Sequence, residues 1–490
     1  MRVTMILPAL TEATSPLFRP IKYSLFPPLG LATLAGYLDP DDEVRILDEH
    51  VERIDALIAD DRPDLVVIQA YITSARRSYE LADLYRSRGV FVAMGGLHVT
   101  SLPDEAAAHA DAIFLGPGED TWPRFLTDFR KGEAEQRYVS TERTLRDVPP
   151  IRRDLIRRDR YLVPNSIVVT RGCPHHCDFC YKDAFFTGGK SFYTQLVDDA
   201  LAEIDRLPGK HLYFLDDHLF GNRRFAEALF DGMRGMGRVW QAASTVDAIL
   251  APGLLEKAAA AGLRSMFVGL ETINASNLTE QRKRQNVGRS YEAVVQRLHD
   301  AGVMINASFV FGMDGDGPDV FDRTVEWGVR TGLETATFHI MTPYPGTALY
   351  RRMEAAGRIT HRDWDRYDTR HVVYRPLGMT PDQLEAGYWK AYRDFYRWRN
   401  IWRGAAAGGD RWRHLAYAGG WKKFEPLWDA LIRSRQVLRA LPLLERTLSG
   451  SGSATNGRSS TGAGTTRPPG RWPADVPAPP EEEPQQLQGA

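Results

Sequence analysis

Cys173, Cys177 and Cys180 are the only cysteines of the 490-residue chain, and all three fall in one short run, Arg-Gly-Cys-Pro-His-His-Cys-Asp-Phe-Cys-Tyr. Three thiolates spaced Cys-x-x-x-Cys-x-x-Cys can hold three corners of a cubane iron–sulfur cluster and leave the fourth iron open to a small molecule. A cluster that only passes electrons takes four cysteines, so a loop that stops at three keeps a coordination position for chemistry. A disulfide framework does not suit an odd cysteine count in a long chain. Structural zinc is the alternative, with His175 or His176 as fourth ligand. Zinc loops usually place their cysteines in two separated pairs, and no second pair exists here.

The elements that carry this loop show in the apolar pattern. From about Ser166 six strand–helix units follow one another, with strands at Ile167–Thr170, His211–Leu215, Val239–Ala243, Ser265–Val268, Met304–Phe311 and Thr335–Ile340. Helical patterns such as Leu196–Arg206 and Tyr291–Ala301 come after them. Six units instead of eight predict an incomplete, TIM-type (β/α)6 barrel, open on one side to a large substrate. Its chemistry would lie at the carboxyl ends of the strands. The cysteine loop follows the first strand, Asp216 and Asp217 the second, and Glu271 the fourth, so all share one face.

Ahead of the barrel, Val3–Leu7, Val44–Leu47, Leu65–Ile68, Phe91–Met94 and Ile113–Leu115 alternate with helical stretches such as Ser78–Ser87 and Asp104–His109. This α/β series predicts a doubly wound, Rossmann-like parallel sheet with its ligand crevice at the strand ends. Gly95 and Gly96, then Gly116 and Gly118, collect at those ends, where glycine lets backbone approach a ligand closely. Gln69 and Tyr71 lie just past the third strand. No Gly-x-Gly-x-x-Gly follows the first strand, which argues against a nicotinamide domain.

The cysteine spacing, with Phe179 before the last cysteine, resembles the signature of the radical S-adenosylmethionine (SAM) enzymes. In that family the open iron chelates the methionine end of the cofactor, and the cluster's electron cleaves it to a 5′-deoxyadenosyl radical. Leu215-Asp216-Asp217 stands where many relatives carry Gly-Gly-Glu, which implies that this pair holds the methionine amino group. Glu271, in Gly269-Leu270-Glu271-Thr272, resembles the acid that contacts bound S-adenosylmethionine. Phe311-Gly312-Met313 and Pro343-Tyr344-Pro345-Gly346-Thr347 match family stretches around adenosine and substrate.

The first domain resembles the cobalamin-binding domain that precedes the barrel in one large subgroup, the class B methyltransferase-like family. Pro27-Pro28-Leu29-Gly30-Leu31, Gly95-Gly96-Leu97-His98 and Gly116-Pro117-Gly118-Glu119 carry that likeness. The resemblance implies cobalamin beside Gly95, Gly96, Gly116, Gly118 and Gln69. Asp48-Glu49-His50 follows the second strand, with Arg53 where a cobalt-binding Asp-x-His-x-x-Gly motif has glycine. His50 therefore reads as a loop histidine, and the cobalt is expected to lack a histidine ligand.

The family then implies a methyltransferase acting on an unactivated carbon of a biosynthetic intermediate, through the 5′-deoxyadenosyl radical and methylcobalamin. Such a carbon has no acidic proton for a base to remove, and the cofactors carry the hard step. The runner-up keeps the cofactors and ends in ring contraction, cyclisation or rearrangement; a non-catalytic cobalamin sensor comes third. The substrate is expected to be a small, amphiphilic molecule, and the electron an external flavodoxin or ferredoxin's. Methylthiotransferases and peptide-maturing relatives need further cysteines for extra clusters, and none remains.

A net charge of −1 argues against a general nucleic-acid partner. No apolar run approaches the ~18 residues of a membrane span, and the opening residues read as a strand, so a cytoplasmic enzyme is expected. The expected divisions are 1–135 for the cobalamin domain, 136–160 for a linker, 161–380 for the radical core, 381–448 for a helical region and 449–490 for a disordered tail. Residues 390–448 hold thirteen Lys and Arg against five Asp and Glu among many aromatic residues. That segment is read as a helical cap on the barrel, or as a surface for peripheral contact with a membrane or amphiphilic substrate.

Overall fold

The computed structural model describes residues 1–9, 26–408, 410–423 and 425–449. Apart from Ser449, the stretch expected to be disordered lies outside these residues. The first sheet holds β1 (Arg2–Leu7), β2 (Glu43–Asp48), β3 (Leu65–Gln69), β4 (Phe91–Gly95), β5 (Ala112–Leu115) and β6 (Arg137–Val139), in the order β2-β1-β3-β4-β5-β6. All its neighbours pair in parallel. β3 is buried over Leu65–Ile68 and half-open only at Gln69, as a strand covered on both faces must be. The order reverses between β1 and β3, and a crevice opens beyond the carboxyl ends of strands at such a point. β6 was not foreseen. It lies inside the segment 136–160 expected to be a linker, because three residues are too few to show an alternation.

The second sheet runs β7 (Ser166–Ile167), β10 (His211–Phe214), β11 (Val239–Ser244), β12 (Leu263–Glu271), β13 (Met304–Phe311) and β14 (Thr335–Ile340), each paired in parallel with its predecessor. The helices between them are amphipathic. Tyr291–Asp300 buries Tyr291, Val294, Val295 and Leu298 on one stripe, and the Ser290 hydroxyl caps it by accepting from the Ala293 amide. The first barrel strand departs from the sequence reading. It stops at Ile167, and the chain resumes as β8 (Thr170–Gly172), which pairs antiparallel with β9 (Phe192–Thr194) in a separate ribbon. The break has a cause: the Val169 and Thr170 amides donate to Asp216 Oδ1 at 3.1 and 2.5 Å.

After the barrel come the helices Pro381–Phe395, Trp398–Ala407, Arg411–Lys423, Glu425–Arg433 and Val437–Ser449. The first starts on a Thr380/Gln383 capping box and buries Leu384, Tyr388, Ala391 and Phe395. From it Tyr392 and Tyr396 reach β14. Each hydroxyl accepts from the amide and donates to the carbonyl of one residue, Phe338 and Ala336 respectively. Two tyrosines thereby cover the outer edge of the sheet, which would otherwise present unpaired backbone. Trp389, Trp398, Trp402 and Trp412 remain exposed. No helix among the described residues is long and apolar enough to cross a membrane.

Candidate functional site

The ribbon β8–β9 closes the base of the cysteine loop, and the Cys173 amide donates to Ser191 O at 3.1 Å. Gly172 makes this closure possible. Its φ of 74° is left-handed, and a Cβ there would stand 2.0 Å from Ser191 O. Asp178, between the second and third cysteines, fixes the other side. Its amide donates to Gln281 O, its carbonyl accepts from Leu349, and its carboxylate takes Arg352 at 2.5 Å.

The three thiols are free and influence one another's ionisation. Burial raises their pKa values, to about 11 for Cys173 and about 12 for Cys180. Two buried ammonium groups, of Lys182 and Lys283, act in the opposite direction on Cys173 and Cys177. Lys182 Nζ lies 2.7 Å from Asp183 Oδ1, but not along a direction that makes a hydrogen bond. Lys283 Nζ donates to Glu271 Oε1 at 2.6 Å. Burial opposes that ammonium, yet the charges of Glu271 and Cys177 outweigh it and hold the pKa above the ordinary lysine value.

His175 and His176, the candidate fourth zinc ligands, have other neighbours. His176 Nδ1 lies 3.1 Å from Asp183, while His175 stacks on His218 and sits 3.8 Å from Asp247. Among the described residues, no three His, Cys, Asp or Glu groups converge on a point for one metal ion. A cubane does not require that convergence, because each cysteine meets a different iron. The donor set, three cysteines with two buried cations beside them, fits an anionic cluster.

The two aspartates after β10 part company. Asp216 is buried, and its Oδ1 accepts from the Thr170 hydroxyl at 2.6 Å besides the two amides. Burial lifts its pKa to about 6, against the pull of the Thr170 contacts, and Oδ2 has no partner. Asp217 is exposed and accepts from Tyr181 Oη at 2.6 Å. Glu271 ends β12 at φ 66°, a left-handed turn that aims its carboxylate at Lys283.

A cleft of ≈ 300 Å³ runs between the two sheets. Gln69, Gly95, Gly96, Gly116 and Gly118 line it from the first sheet; Thr170 and Arg171 of β8, with Tyr181 and Asp217, line it from the side of the cysteine loop. All five residues expected beside cobalamin thus meet in one place. A Cβ at Gly118 would touch only Leu34, at 3.4 Å, whereas one at Gly96 would stand 2.8 Å from Ala70 O, so Gly118 is the glycine that leaves the cleft open. These residues fit a large ligand that lies against backbone. The cleft is bridged by Arg171 and Glu119, 2.8 Å apart.

Two further cavities adjoin it. One, ≈ 510 Å³, opens at the β1/β3 switch point and is lined by Leu7, His50, Gln69 and Tyr71. His50 Nδ1 faces Asp48 Oδ1 at 3.0 Å. The other, ≈ 330 Å³, has walls of Tyr71, Leu97, His98, Tyr181, Tyr344 and Tyr367. Tyr181 borders both this cavity and the glycine cleft. Sequence reasoning missed Tyr181, Lys283, Gln285 and the Arg171–Glu119 pair. For Tyr181, its place beside Cys180 was the available signal; the others depend on contacts between distant segments.

Residues 23–126 match the B12 binding domain, and residues 167–328 match the radical SAM superfamily. The bacteriochlorophyllide d C-12(1)-methyltransferase of Chlorobaculum tepidum is 29% identical over 76% of this chain and 82% of its own length. The C-8(2)-methyltransferase of the same organism is 28% identical over 76% of this chain and 86% of its own. Among solved structures, the radical S-adenosylmethionine methyltransferase TsrM of Kitasatospora setae, with cobalamin and a [4Fe-4S] cluster bound, superposes with a TM-score of 0.60. It covers 89% of this chain and 99% of that one at 15% identity, a likeness of fold.

Proposed function

We propose that this chain, a radical SAM protein with a B12-binding domain ahead of its barrel, is a C-methyltransferase that uses cobalamin, a 4Fe-4S cluster and S-adenosylmethionine. One observation carries the reading. The glycine cleft at the ends of the first sheet contains Tyr181 and Asp217, so it opens directly beside the cysteine loop. When bound, the cluster and S-adenosylmethionine supply a radical that can take hydrogen from an unactivated carbon, and cobalamin supplies the methyl group. The chain's part is to hold, orient and exclude water.

In this reading Cys173, Cys177 and Cys180 bind the cluster. Asp217, exposed and steadied by Tyr181, faces the methionine end of S-adenosylmethionine, and buried Asp216 sets the loop that carries Asp217. Glu271 acts through its pair with Lys283. Gly95, Gly96, Gly116, Gly118 and Gln69 receive cobalamin. The aromatic cavity behind Tyr181 takes the substrate, a small molecule with an apolar body that rings can cover. Ring contraction or rearrangement on the same cofactors has no observation in its favour here.

The electron comes from an external flavodoxin or ferredoxin, and the enzyme works in the cytoplasm. The exposed Trp398, Trp402 and Trp412 lie among basic residues, with Arg411 over the Trp402 ring. That face suits an amphiphilic substrate or an anionic surface, by about 1 kcal/mol per basic residue that reaches one. Replacing Arg397, Arg399 and Arg403 by Ser should weaken binding to anionic vesicles at low salt. No binding by the parent chain would reduce this region to a helical cap.

The central test is product analysis. Anaerobically reconstituted protein, supplied with candidate substrates taken from the chemistry of neighbouring genes, should yield a product heavier by one methyl group, with 5′-deoxyadenosine. A product of unchanged carbon count would overturn methyl transfer.

A further inference from the structure

The segment after the helix Ala275–Glu280 returns towards the cysteine loop and is fastened there. Gln281 O accepts from the Asp178 amide at 3.1 Å. At its far end the Asn286 side chain donates to Gly269 O and Leu270 O, at 3.0 and 3.1 Å, locking the segment to β12. Between these anchors, two buried side chains face the thiols. Gln285 Nε2 donates to Cys177 Sγ at 3.4 Å, a normal length for an N–H···S hydrogen bond. Lys283, held by Glu271 and lying 5.8 Å from the centre of the Phe179 ring, adds positive charge beside Cys177 and Cys180.

We propose that Gln285 is a positioning residue that raises the reduction potential of the cluster by hydrogen-bonding to the Cys177 sulfur. Reduction adds one electron to a group that already carries three thiolates. A donor aimed at one sulfur therefore stabilises the reduced form more than the oxidised one, and hydrogen bonds to sulfur are among the factors that set such potentials. Lys283 adds an ammonium on the same side, but the Glu271 carboxylate 2.6 Å away offsets much of that charge, so the Gln285 hydrogen bond carries the effect. The consequence is practical: a low-potential one-electron donor can reduce the cluster with less driving force than bare burial would demand.

This inference rests on the cluster reading, and one set of samples separates the two. Parent, Gln285→Leu and Gln285→Glu proteins would be reconstituted anaerobically, assayed for iron, then titrated with low-potential viologen mediators while the reduced cluster is followed by electron paramagnetic resonance. The parent should hold about four irons per chain. At the parent's midpoint potential, Gln285→Leu should show a reduced-to-oxidised ratio about tenfold lower, a shift of 59 mV for one electron. Gln285→Glu, similar in size but anionic, should shift further in the same direction. An iron-free parent would defeat the cluster reading and this inference with it. Iron-loaded variants with the parent's midpoint would overturn this inference alone. Loss of iron from both variants would make Gln285 a structural residue and overturn it as well.

Discussion

The two halves of the site are built by opposite means. Around the cysteine loop the chain buries charge: Lys182, Lys283, Glu271 and Asp216 are all taken out of water within one region. At the ends of the first sheet glycines line the cleft instead: Gly95, Gly96 and Gly116 let the chain pack closely against Phe114, Ala70 and Ser140, and Gly118 leaves backbone open. The first half can hold a small charged group tightly. The second can receive a large one over a wide area. Their difference explains why the cysteine loop can be picked out at once from residue types, while the glycine cleft becomes visible only when several short glycine motifs are taken in order.

The comparison breaks most completely at the cysteines. Cys177→Ala should abolish the iron, from about four per chain to none, while leaving cobalamin uptake intact; iron analysis beside absorbance of bound cobalamin measures both. Stoichiometric zinc in protein kept strictly anaerobic would overturn the cluster. The reciprocal change is Gly118→Leu. Its φ is ordinary and the nearest obstacle is Leu34 at 3.4 Å, so the fold should stand while the side chain fills the cleft. Cobalamin binding should fall by more than tenfold with iron content unchanged; joint loss of both would mean that the halves are not separable.

The bridge between the halves is worth less. Arg171 and Glu119 are mostly buried, at 21% and 12% side-chain exposure. Glu119→Gln should cost about 2 kcal/mol in urea unfolding, the range for hydrogen bonds to charged groups. An unchanged midpoint would show that the packed surfaces alone keep the halves together.

Smallest is a difference in acid response. Burial depresses the His218 pKa to about 4, so the fold takes it neutral, and stability present above pH 6.5 is lost as pH falls towards 4. Asp216, raised to about 6, does the reverse: the folded state gains its proton first and is favoured as pH falls through 6. Asp216→Asn should therefore steepen the acid loss, and His218→Gln should flatten it, in denaturation curves at a series of pH values. Parallel profiles for both variants and the parent would mean that water reaches these groups.

Much of the fold was legible because its strands are parallel and buried. Val, Ile and Leu runs such as Leu65–Ile68 mark them without ambiguity, and the barrel strands Met304–Phe311 and Thr335–Ile340 begin and end where the pattern placed them. β6 and the ribbon β8–β9 escaped, since three-residue strands are fixed by their partners and not by their own sequence. The cysteine loop stands out from its spacing as the candidate cluster site, because its three thiols lie within eight residues. Gln285 does not, because nothing within its own segment announces a sulfur 108 positions away. The two adjacent aspartates were also beyond reading: which one is buried depends on where the first barrel strand breaks.

The segment that joins the sheets is itself stitched to the first one. Tyr161 gives its hydroxyl proton to Asp48 at 2.8 Å, Arg160 bonds Val51 O at 2.8 Å, and Arg157 meets Glu52 at 3.0 Å. Arg143, further upstream, donates to the Phe186, Thr187 and Lys190 carbonyls behind the cysteine loop. The two modules are therefore poor candidates for cutting and recombining at a convenient loop. A chimera that grafts a foreign first domain onto this barrel would sever contacts belonging to both, and a workable swap must carry the strap from Ser140 to Asn165 with its matching surfaces. In lineages that trade domains freely, this pair is expected to travel as one piece.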